Sequence, residues 1–329
     1  MRRRLAWIIV CAVLLVAGTI TCICRWKAWF SNPAEPKWEE TLRPYSFATF
    51  GQEQVPNFIY ADSVWYDMKE PYTFRLLVLG DVHNDIHHER YQQLGAAYPQ
   101  LDAVAQVGDW MERGYTYYAQ QLVKDLEGTA IATLPVMTTP GNHEYHKGFV
   151  RYLPYLWYTM FRNPLNGPSN GLGSTYWVDF RYLRVIAIDT SAPYLLHHFT
   201  RLNKWVQDAI RGAEGRFTIV IMHHPAHSIA KGRFNAGIYA FIGHAIKKAD
   251  LVFTGHDHMY ARQLPFVEMG SVHRTRKVQK NALVERYEQQ PVYAILTVEK
   301  DKLQMQVMAL DTDTLCDEVL IEHLPKQVE

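Results

Sequence analysis

The sequence has little cysteine, and most of it lies near the N-terminus. Of the four cysteines in the 329-residue chain, Cys11, Cys22 and Cys24 fall in one apolar segment, which leaves Cys316 alone in the remainder. An intramolecular disulfide framework is therefore excluded for the part after residue 24, and its stability must come from a hydrophobic core. Asn-x-Ser/Thr sequons are also absent, so the sequence gives no sign of N-glycosylation.

The chain also lacks an excess of charge of either sign and any low-complexity tract. Its formal net charge is +1 with neutral histidines, charged residues make up 20% and hydrophobic residues 48%. This composition is typical of a globular protein and gives no electrostatic reason to expect a nucleic acid partner. Histidine is unevenly distributed, because none of the 15 histidines precedes His83.

A long uncharged segment lies close to the N-terminus. Leu5 to Cys24 contains 20 residues without a charge, between Arg2-Arg3-Arg4 and Arg25. At about 1.5 Å per residue it would span about 30 Å, the thickness of a bilayer core. We predict a cytoplasmic tail over 1–4, a transmembrane helix over 5–24 and an exported domain, periplasmic or extracellular. The alternative is a signal peptide cleaved near Val16-Ala17-Gly18, which would leave a secreted protein.

After this segment the sequence indicates a linker and then an α/β domain. Residues 25–72 contain five prolines and few periodic apolar residues, which favours an extended membrane-proximal linker. Residues 73–329 form the predicted domain, in which strands and helices first alternate, as parallel sheets require. The first predicted elements are strands Phe74 to Leu79, Ala103 to Val107 and Leu134 to Thr138, with helices near His88 to Ala97 and Tyr115 to Leu126.

The second half of the domain is predicted to change character. The aromatic-rich stretch Tyr145 to Phe161 suggests a helical insertion over a site, and the last third alternates like antiparallel strands. The remaining predicted strands are Ser174 to Phe180, Leu183 to Ile188, Phe217 to Met222, Leu251 to Thr254, Val292 to Val298, Leu303 to Ala309 and Glu318 to His323, with helices near Arg201 to Arg211 and Gly237 to Lys248.

Five predicted buried strands end directly before residues that can bind metal. The five segments are Gly80-Asp81-Val82-His83, Gly108-Asp109, Gly141-Asn142-His143-Glu144, His223-His224-Pro225 and Gly255-His256-Asp257-His258. One such segment is unremarkable, since a capping aspartate beside an unrelated histidine arises by chance. Five in succession, at the end of strands where open α/β sheets bind ligands, indicate a metal site.

These segments, in this order and spacing, resemble the calcineurin-like metallophosphoesterases, and most closely the purple acid phosphatase-like branch. The resemblance covers roughly Thr73 to Ala309. It implies an α/β fold, a four-layer α/β/β/α sandwich with two mixed β-sheets. It also implies two metal ions: one held by Asp81, His83 and His258, the other by Asn142, His223 and His256, with Asp109 bridging them.

Seven oxygen and imidazole ligands without thiolate suit two ions of manganese, iron, zinc or magnesium, divalent or of mixed valence. Such a pair lowers the pKa of a bridging water, so that hydroxide can attack phosphorus. His143 corresponds to the family's catalytic histidine and is expected to assist the leaving group, with Glu144 orienting it. The purple enzymes carry a tyrosine three residues after the bridging aspartate, where this chain has Glu112, so we expect a colourless protein.

Other residues near these segments have two possible roles. Arg113, His146, His224, His227 and Tyr260 either contact the substrate or have a structural role. The basic run from His273 to Lys277, with Lys280, is either a solvated loop or a contact for anionic lipid headgroups.

The sequence thus predicts a membrane-anchored dimetal phosphoesterase. Its expected substrate is a phosphorylated small molecule or a lipid-linked phosphate, with a phosphomonoester as the first choice. One alternative is a phosphodiesterase or pyrophosphatase acting on a nucleotide or lipid-linked substrate, because loops rather than the metal core set such preferences. A second alternative is a catalytically inactive binding or scaffold protein on the same fold.

Overall fold

The computed structural model describes residues 73–147, 150–151, 157, 160–161, 163–168, 171, 173–191, 199–228, 236–272, 275–277 and 284–323. The predicted tail (1–4), transmembrane helix (5–24) and linker (25–72) lie outside these residues and remain predictions. Within the described ranges, no helix combines the length and the apolar character that crossing a bilayer needs.

Fifteen strands and three regular helices make up the described part of the domain. The strands are β1 (Phe74–Leu79), β2 (Ala103–Gln106), β3 (Val136–Thr138), β4 (His146–Lys147), β5 (Val150–Arg151), β6 (Tyr176–Asp179), β7 (Leu183–Ile188), β8 (Phe217–Met222), β9 (Leu251–Thr254), β10 (Tyr260–Gln263), β11 (Phe266–Glu268), β12 (Arg286–Glu288), β13 (Val292–Val298), β14 (Lys302–Ala309) and β15 (Leu315–Glu322). The helices are α1 (His88–Ala97), α2 (Thr116–Leu126) and α3 (Phe199–Arg211), with a short 3-10 turn at Ile131–Thr133.

Two mixed sheets form the centre of the molecule. One has six strands in the order β15-β14-β13-β1-β2-β3, and the other has seven in the order β12-β10-β11-β9-β8-β7-β6. Strands β1, β2 and β3 run parallel, as do β7, β8 and β9, while β13, β14 and β15 pair antiparallel. The predicted pair of mixed sheets is confirmed, as is the change from parallel to antiparallel pairing along the chain.

Alternation along the strands produces the four layers. In β1, Phe74, Leu76 and Val78 pack in the core between the two sheets, whereas Leu77 and Leu79 pack on the other face with residues of α1 and α2. Strand β8 divides in the same way, with its outer face packing against α3 and the helical turns that follow residue 236. Successive side chains of a strand point to opposite faces, so a strand that is apolar throughout must be covered on both sides.

Three segments differ from the sequence predictions. The helix predicted near Gly237 to Lys248 is interrupted, since two α-helical turns, Ala236–Ile238 and His244–Ile246, flank a π-helical Tyr239–Gly243. A Cβ at Gly243 would lie 2.3 Å from the Tyr239 ring, so this glycine lets the ring cover the backbone. The predicted helical insertion begins instead with the β4–β5 hairpin. Strands β10, β11 and β12 are too short and too polar to show a periodic pattern.

Candidate metal centre

The carboxyl ends of strands from both sheets meet at one edge of the sandwich. The backbone N–H groups of Val82 and His83, after β1, both donate to the Asp109 carbonyl, after β2, at 3.0 Å. From the other sheet, the His256 N–H donates to Asp81 Oδ1 at 3.0 Å, and the Gly255 N–H donates to the His223 carbonyl. Hydrogen bonds donated by backbone N–H groups therefore link four of the five predicted segments directly.

The backbone at this edge is held in an unusual conformation. Seven non-glycine residues in the described part of the chain have a positive φ, and four of them are candidate ligands. These four are His83, Asp109, His256 and His258, with φ of 52°, 55°, 68° and 56°. Left-handed backbone costs free energy for a residue with a Cβ and concentrates at functional sites. This cost in free energy falls at four candidate ligands, because the left-handed backbone sets the direction of their side chains.

Two of the glycines that precede the ligand segments are required by close approach. A Cβ on Gly141 would lie 2.1 Å from Asp109 Oδ1, and one on Gly255 would lie 2.2 Å from Asp81 Oδ1. Both distances are far inside van der Waals contact. Only a residue without a side chain lets these backbone segments pass so near the two carboxylates.

One group of donors consists of Asp81, His83 and His258. One ligand atom from each lies within 4.8 Å of the others. Asp81 is fully buried, and its Oδ2 atom accepts no hydrogen bond from the described residues. The His258 Nε2 atom lies 3.8 Å from that oxygen. A buried carboxylate oxygen without a donor is costly, and a cation between these groups would satisfy it.

The second group surrounds His223. Its Nε2 atom lies 3.0 Å from Asn142 Oδ1, 3.1 Å from Asp109 Oδ2 and 3.3 Å from His256 Nδ1. Two ligands about 2.1 Å from one ion, at right angles, are about 3.0 Å apart, so this spacing is that of neighbouring ligands around a metal. Asp109 also groups with His83, which places its carboxylate between the two sets of donors.

The donor chemistry fits the pair of ions that the resemblance implies. The described residues bring together carboxylate and amide oxygens with imidazole nitrogens, and no thiolate takes part because Cys316 lies on β15. Such donors suit manganese, iron, zinc or magnesium. All seven predicted ligands lie at the carboxyl edge, and Asp109 groups with His83 of the first set and with His223 of the second.

The charged groups shift one another's pKa values. Burial disfavours a charge on Asp109, but the neighbouring His223 overrides this and holds the Asp109 pKa well below its usual range. Burial likewise opposes a charge on His223, yet Asp109 and Asp81 raise its pKa to about 9. Burial raises the pKa of Asp81 to about 6. For His258, burial and the positive charge of His83 lower the pKa to about 3, so its imidazole is neutral and available as a ligand.

His143 is oriented by two contacts with the chain. Its backbone N–H donates to Asp109 Oδ1 at 2.7 Å, and its ring Nδ1 lies 2.5 Å from the Glu112 carbonyl. A carbonyl accepts only, so Nδ1 carries the proton and donates it. The other ring nitrogen, Nε2, faces the centre, 3.9 Å from Asp109 Oδ2, and the side chain is 27% exposed. This orientation suits a group that exchanges a proton with a bound ester.

Glu144 holds the ligand loops together. One of its oxygens accepts the N–H groups of Asp109 at 2.9 Å and Gly141 at 2.7 Å, and the other accepts Met111 N–H at 2.9 Å. From the sequence we expected Glu144 to orient His143. The observed contacts connect it to the backbone of Asp109, Met111 and Gly141, so it acts by fixing the positions of two ligand loops.

Glu112 contacts a candidate ligand through its side chain. Its Oε2 atom lies 3.1 Å from His83 Nδ1, and this contact lowers the pKa of the Glu112 carboxyl. A carboxylate on Nδ1 fixes the tautomer that leaves Nε2 for a metal. From the sequence alone, Glu112 stood out only because it occupies the position of the tyrosine in the purple enzymes. Arg113 beside it is exposed, and its charge also lowers the Glu112 pKa.

A sixth strand end contributes to this edge and escaped the sequence analysis. Strand β7 is followed by Asp189 and Thr190. The Thr190 hydroxyl lies 3.0 Å from His224 Nδ1, and Asp189 Oδ2 accepts the Tyr145 hydroxyl at 2.6 Å. His224 in turn groups with His223 and His256. The sequence did contain a signal for this site, since Asp189 directly follows a buried strand, but no glycine or histidine stands beside it as in the other five segments.

The other predicted substrate contacts have different surroundings. The Tyr260 hydroxyl is buried and donates to Asp317 Oδ2 at 2.6 Å, which joins β10 to β15. The His227 ring packs against Tyr239, with ring centroids 4.3 Å apart. His146 begins β4, and its side chain lies outside the described residues. The same holds for His273, Arg274 and Lys280 of the basic run.

These features define a class of protein, an α/β sandwich that gathers metal-binding side chains from two mixed sheets at one edge. The family model for calcineurin-like phosphoesterases matches residues 74–260, which is more than half of the chain. The chain therefore belongs to the calcineurin-like phosphoesterases, a family of metal-dependent phosphoesterases. No curated protein sequence matches it.

Solved structures agree with this fold at low sequence identity. The purple acid phosphatase PPD1 from yellow lupin (Lupinus luteus) seeds is 15% identical, with a TM-score of 0.61 over 76% of this chain and 54% of that one. GAP50, the anchor in the inner membrane complex of Plasmodium, is 14% identical, with a TM-score of 0.55 over 78% and 90%. PhoD is 11% identical, with a TM-score of 0.53 over 76% and 68%. The chain spans about half the length of the lupin enzyme, whose fold accords with the expected purple acid phosphatase-like branch.

Proposed function

We propose that the protein hydrolyses a phosphate ester, with a phosphomonoester as its first substrate class, using two metal ions. The observation that carries this proposal is the meeting of all seven predicted donors at one edge, where the buried Asp81 Oδ2 accepts no hydrogen bond from any residue that the structure describes. The ions would be held by Asp81, His83 and His258 on one side and by Asn142, His223 and His256 on the other, with Asp109 shared.

The chain's own groups have separate tasks in this reaction. When bound, the ions supply positive charge for the phosphate oxygens and lower the pKa of the water that attacks phosphorus. Glu112 and Glu144 keep His83 and the Asp109 loop in position. With both ring nitrogens protonated, His143 gives the Nε2 proton to the departing oxygen and becomes neutral, while its Nδ1–H stays on the Glu112 carbonyl.

Two rival functions use the same fold. A phosphodiesterase or pyrophosphatase would need the same donors, but a differently shaped path by which the substrate reaches them. A scaffold protein is suggested by the description of GAP50 as an anchor. Scaffolding alone does not require seven donors and an oriented histidine, so the set of donors at this edge favours an enzyme.

The deciding experiment combines elemental analysis of the purified protein with assays on 4-nitrophenyl phosphate and bis(4-nitrophenyl) phosphate. We expect about two metal ions per chain and faster hydrolysis of the monoester. Faster diester cleavage would select the phosphodiesterase. A protein that takes up no metal after supplementation, and is inert toward both esters, would be a scaffold.

We also propose that residues 5–24 anchor the domain in a membrane, with the domain exported. The support is the uncharged 20-residue run and its flanking arginines. A reporter fused after Glu329 should be accessible from outside the cytoplasm. A reporter accessible only from the cytoplasm would reverse the topology, and a mature protein that begins beyond residue 24 would establish a cleaved signal peptide instead.

A further inference from the structure

The last residue of β2 is a glutamine that is completely buried. The rest of this strand is apolar, with Ala103, Val104 and Ala105, and Gln106 is 0% exposed. An amide in such surroundings destabilises a fold unless its oxygen and its nitrogen are both hydrogen-bonded. The partners of the Gln106 amide therefore explain why a polar side chain is tolerated at this position.

The Gln106 amide forms hydrogen bonds at the ends of three neighbouring strands. Its Nε2 atom donates to the Gly80 carbonyl at 3.1 Å and to the Gly108 carbonyl at 2.6 Å. Its Oε1 atom accepts the Gly108 N–H and the Thr138 hydroxyl, both at 2.9 Å. Gly80 directly follows β1, Gly108 lies just beyond β2, and Thr138 ends β3. One side chain thus ties together the carboxyl ends of β1, β2 and β3.

These hydrogen bonds stand where the backbone leaves the sheet. The pairing of β1 with β2 ends at Gln106, and Gly108 turns away with a φ of 94°. Backbone groups beyond the last pair of a sheet need other partners when they are buried, so the side chain that binds them fixes the position of the turn. Gly80 and Gly108 are the residues directly before Asp81 and Asp109.

The two carboxylates that follow these glycines lie on either side of one imidazole. Asp81 Oδ1 is 3.5 Å from His223 Nδ1, and Asp109 Oδ2 is 3.1 Å from His223 Nε2. Glu144 also holds Asp109, through its backbone N–H, but the hydrogen bonds of Gln106 reach the segment after β1 as well. A shift of either glycine would therefore change the spacing of the two buried carboxylates.

We infer that Gln106 is a positioning residue of the metal centre, which sets the separation of the Asp81 and Asp109 carboxylates and so holds the two metal ions as a bridged pair. It acts through the backbone of Gly80 and Gly108 rather than as a ligand. This inference rests on the proposed function, since it concerns the two ions which that function requires. Residues that orient the ligands of a metal contribute to its affinity even though they do not touch it.

The test compares four variants of the full chain with the wild type. Gln106→Met keeps the length of the side chain and removes the amide. Thr138→Val removes one hydrogen bond to Gln106 Oε1, and Thr138→Ser keeps the hydroxyl that donates it. Thr218→Val is the matched control. It removes a buried hydroxyl that donates to Asp250 Oδ2 at 3.0 Å, near the amino end of β8 and away from the carboxyl edge.

Two measurements report on the metal centre directly. Calorimetric titration of the stripped proteins with Mn²⁺ gives affinity and stoichiometry, and electron paramagnetic resonance distinguishes two interacting Mn²⁺ ions from isolated ones. For Gln106→Met we expect the affinity to fall about 10- to 100-fold and the signal of the interacting pair to be lost. Thr138→Val should lose about two- to tenfold in affinity, the equivalent of one hydrogen bond.

The conservative variant and the control separate positioning from general stability. Thr138→Ser should bind Mn²⁺ like the wild type, because it restores the donor to Gln106. Thr218→Val should lose thermal stability in the absence of metal, yet keep the affinity and the spectrum of the wild type. A purely structural role of Gln106 would lower the unfolding temperature without changing the spectrum of the loaded protein.

The inference is overturned if Gln106→Met binds two ions with wild-type affinity and spectrum, or if Thr218→Val loses as much affinity as Gln106→Met. Should the Gln106 variant fail to fold, the two Thr138 variants decide, since equal affinities of the valine and serine variants would also overturn it. A wild type that binds fewer than two ions refutes the proposed function and the inference with it, so the two failures are distinguishable.

Discussion

Two regions of this domain contain clusters of ionisable groups, and the two clusters differ in whether the protein satisfies their charges. At the side of the sandwich, Asp317 of β15 accepts the Tyr260 hydroxyl at 2.6 Å and Arg262 Nε at 2.7 Å, which ties the two sheets together. At the carboxyl edge, Asp81 and Asp109 lie close together among imidazoles, and Asp81 Oδ2 accepts no hydrogen bond from the described residues.

The difference separates a structural charge network from a site. The charges around Asp317 satisfy one another, so nothing further need bind there. At the edge, the protein alone leaves carboxylate charge without sufficient compensation and holds the backbone in left-handed conformations. Such an arrangement is retained when a ligand completes it. The following changes, from the largest expected effect to the smallest, test that distinction.

Asp109→Asn should reduce turnover of a phosphate ester by about 10³-fold or more and should abolish stoichiometric metal retention. The amide oxygen can still accept the His143 N–H, so the loops should keep their positions. Elemental analysis and steady-state kinetics measure the result. Asp179→Asn is the matched control, because the charge of Asp179 is already satisfied by its ion pair with Arg184. The Asp179→Asn variant should keep the metals and lose thermal stability. If both variants lost metal, the distinction between a structural charge network and a metal centre would be contradicted.

His143→Ala should keep both metals and lower kcat by about 10²- to 10⁴-fold, the usual contribution of a general acid. The histidine exchanges a proton without being a ligand, so metal content should not change. The loss should be smaller for an ester whose leaving group is a strong acid, because that oxygen needs no proton. A variant with wild-type kcat would mean that the acid is another group.

Glu112→Ala should weaken metal binding by about 10- to 100-fold, as expected when a group that orients a ligand histidine is removed. Glu112→Gln keeps an acceptor for His83 Nδ1 and should bind metal more tightly than the alanine variant. Calorimetric titration of the stripped protein with Mn²⁺ or Zn²⁺ measures this directly. Equal affinities for the wild type and the alanine variant would show that the contact at 3.1 Å does not orient His83.

Asp317→Ala should leave metal content unchanged and lower the free energy of unfolding by about 2 kcal/mol, since it removes charged hydrogen bonds that are partly exposed. Burial opposes the charge of Asp317, but Arg262 and Tyr260 hold its pKa below the usual range. Its contribution is therefore fully present above the unfolded pKa of about 3.9 and is lost as pH falls through the folded value. Denaturant titrations should show the variant and the wild type converging at low pH.

The sequence predicted the elements that build the centre better than the contacts inside it. Strands β1, β8, β9 and β13 begin and end where their apolar runs do, because a strand covered on both faces is apolar throughout. The five metal-binding segments were found for the same reason, since each follows a predicted apolar strand, at the ends of β1, β2, β3, β8 and β9. What alternation cannot show is how two separate sheets meet, so the hydrogen bond from His256 to Asp81 emerged only from the structure.

The missed contacts are those of side chains whose partners are distant in sequence. Nothing local to Glu112 indicates that its carboxylate contacts His83 rather than solvent. Asp189 and Thr190 follow a strand that was predicted correctly, but their partners, Tyr145 and His224, come from other loops. Tertiary arrangement alone determines such pairs.

Because the donors come from both sheets, metal ions bound at this edge would hold the two sheets of the sandwich together. A ligand that binds only the folded state at a thousand times its Kd adds about 4 kcal/mol to the free energy of unfolding. The supply of metal in the compartment where the protein matures would then govern how much of it survives proteolysis, before any substrate is encountered.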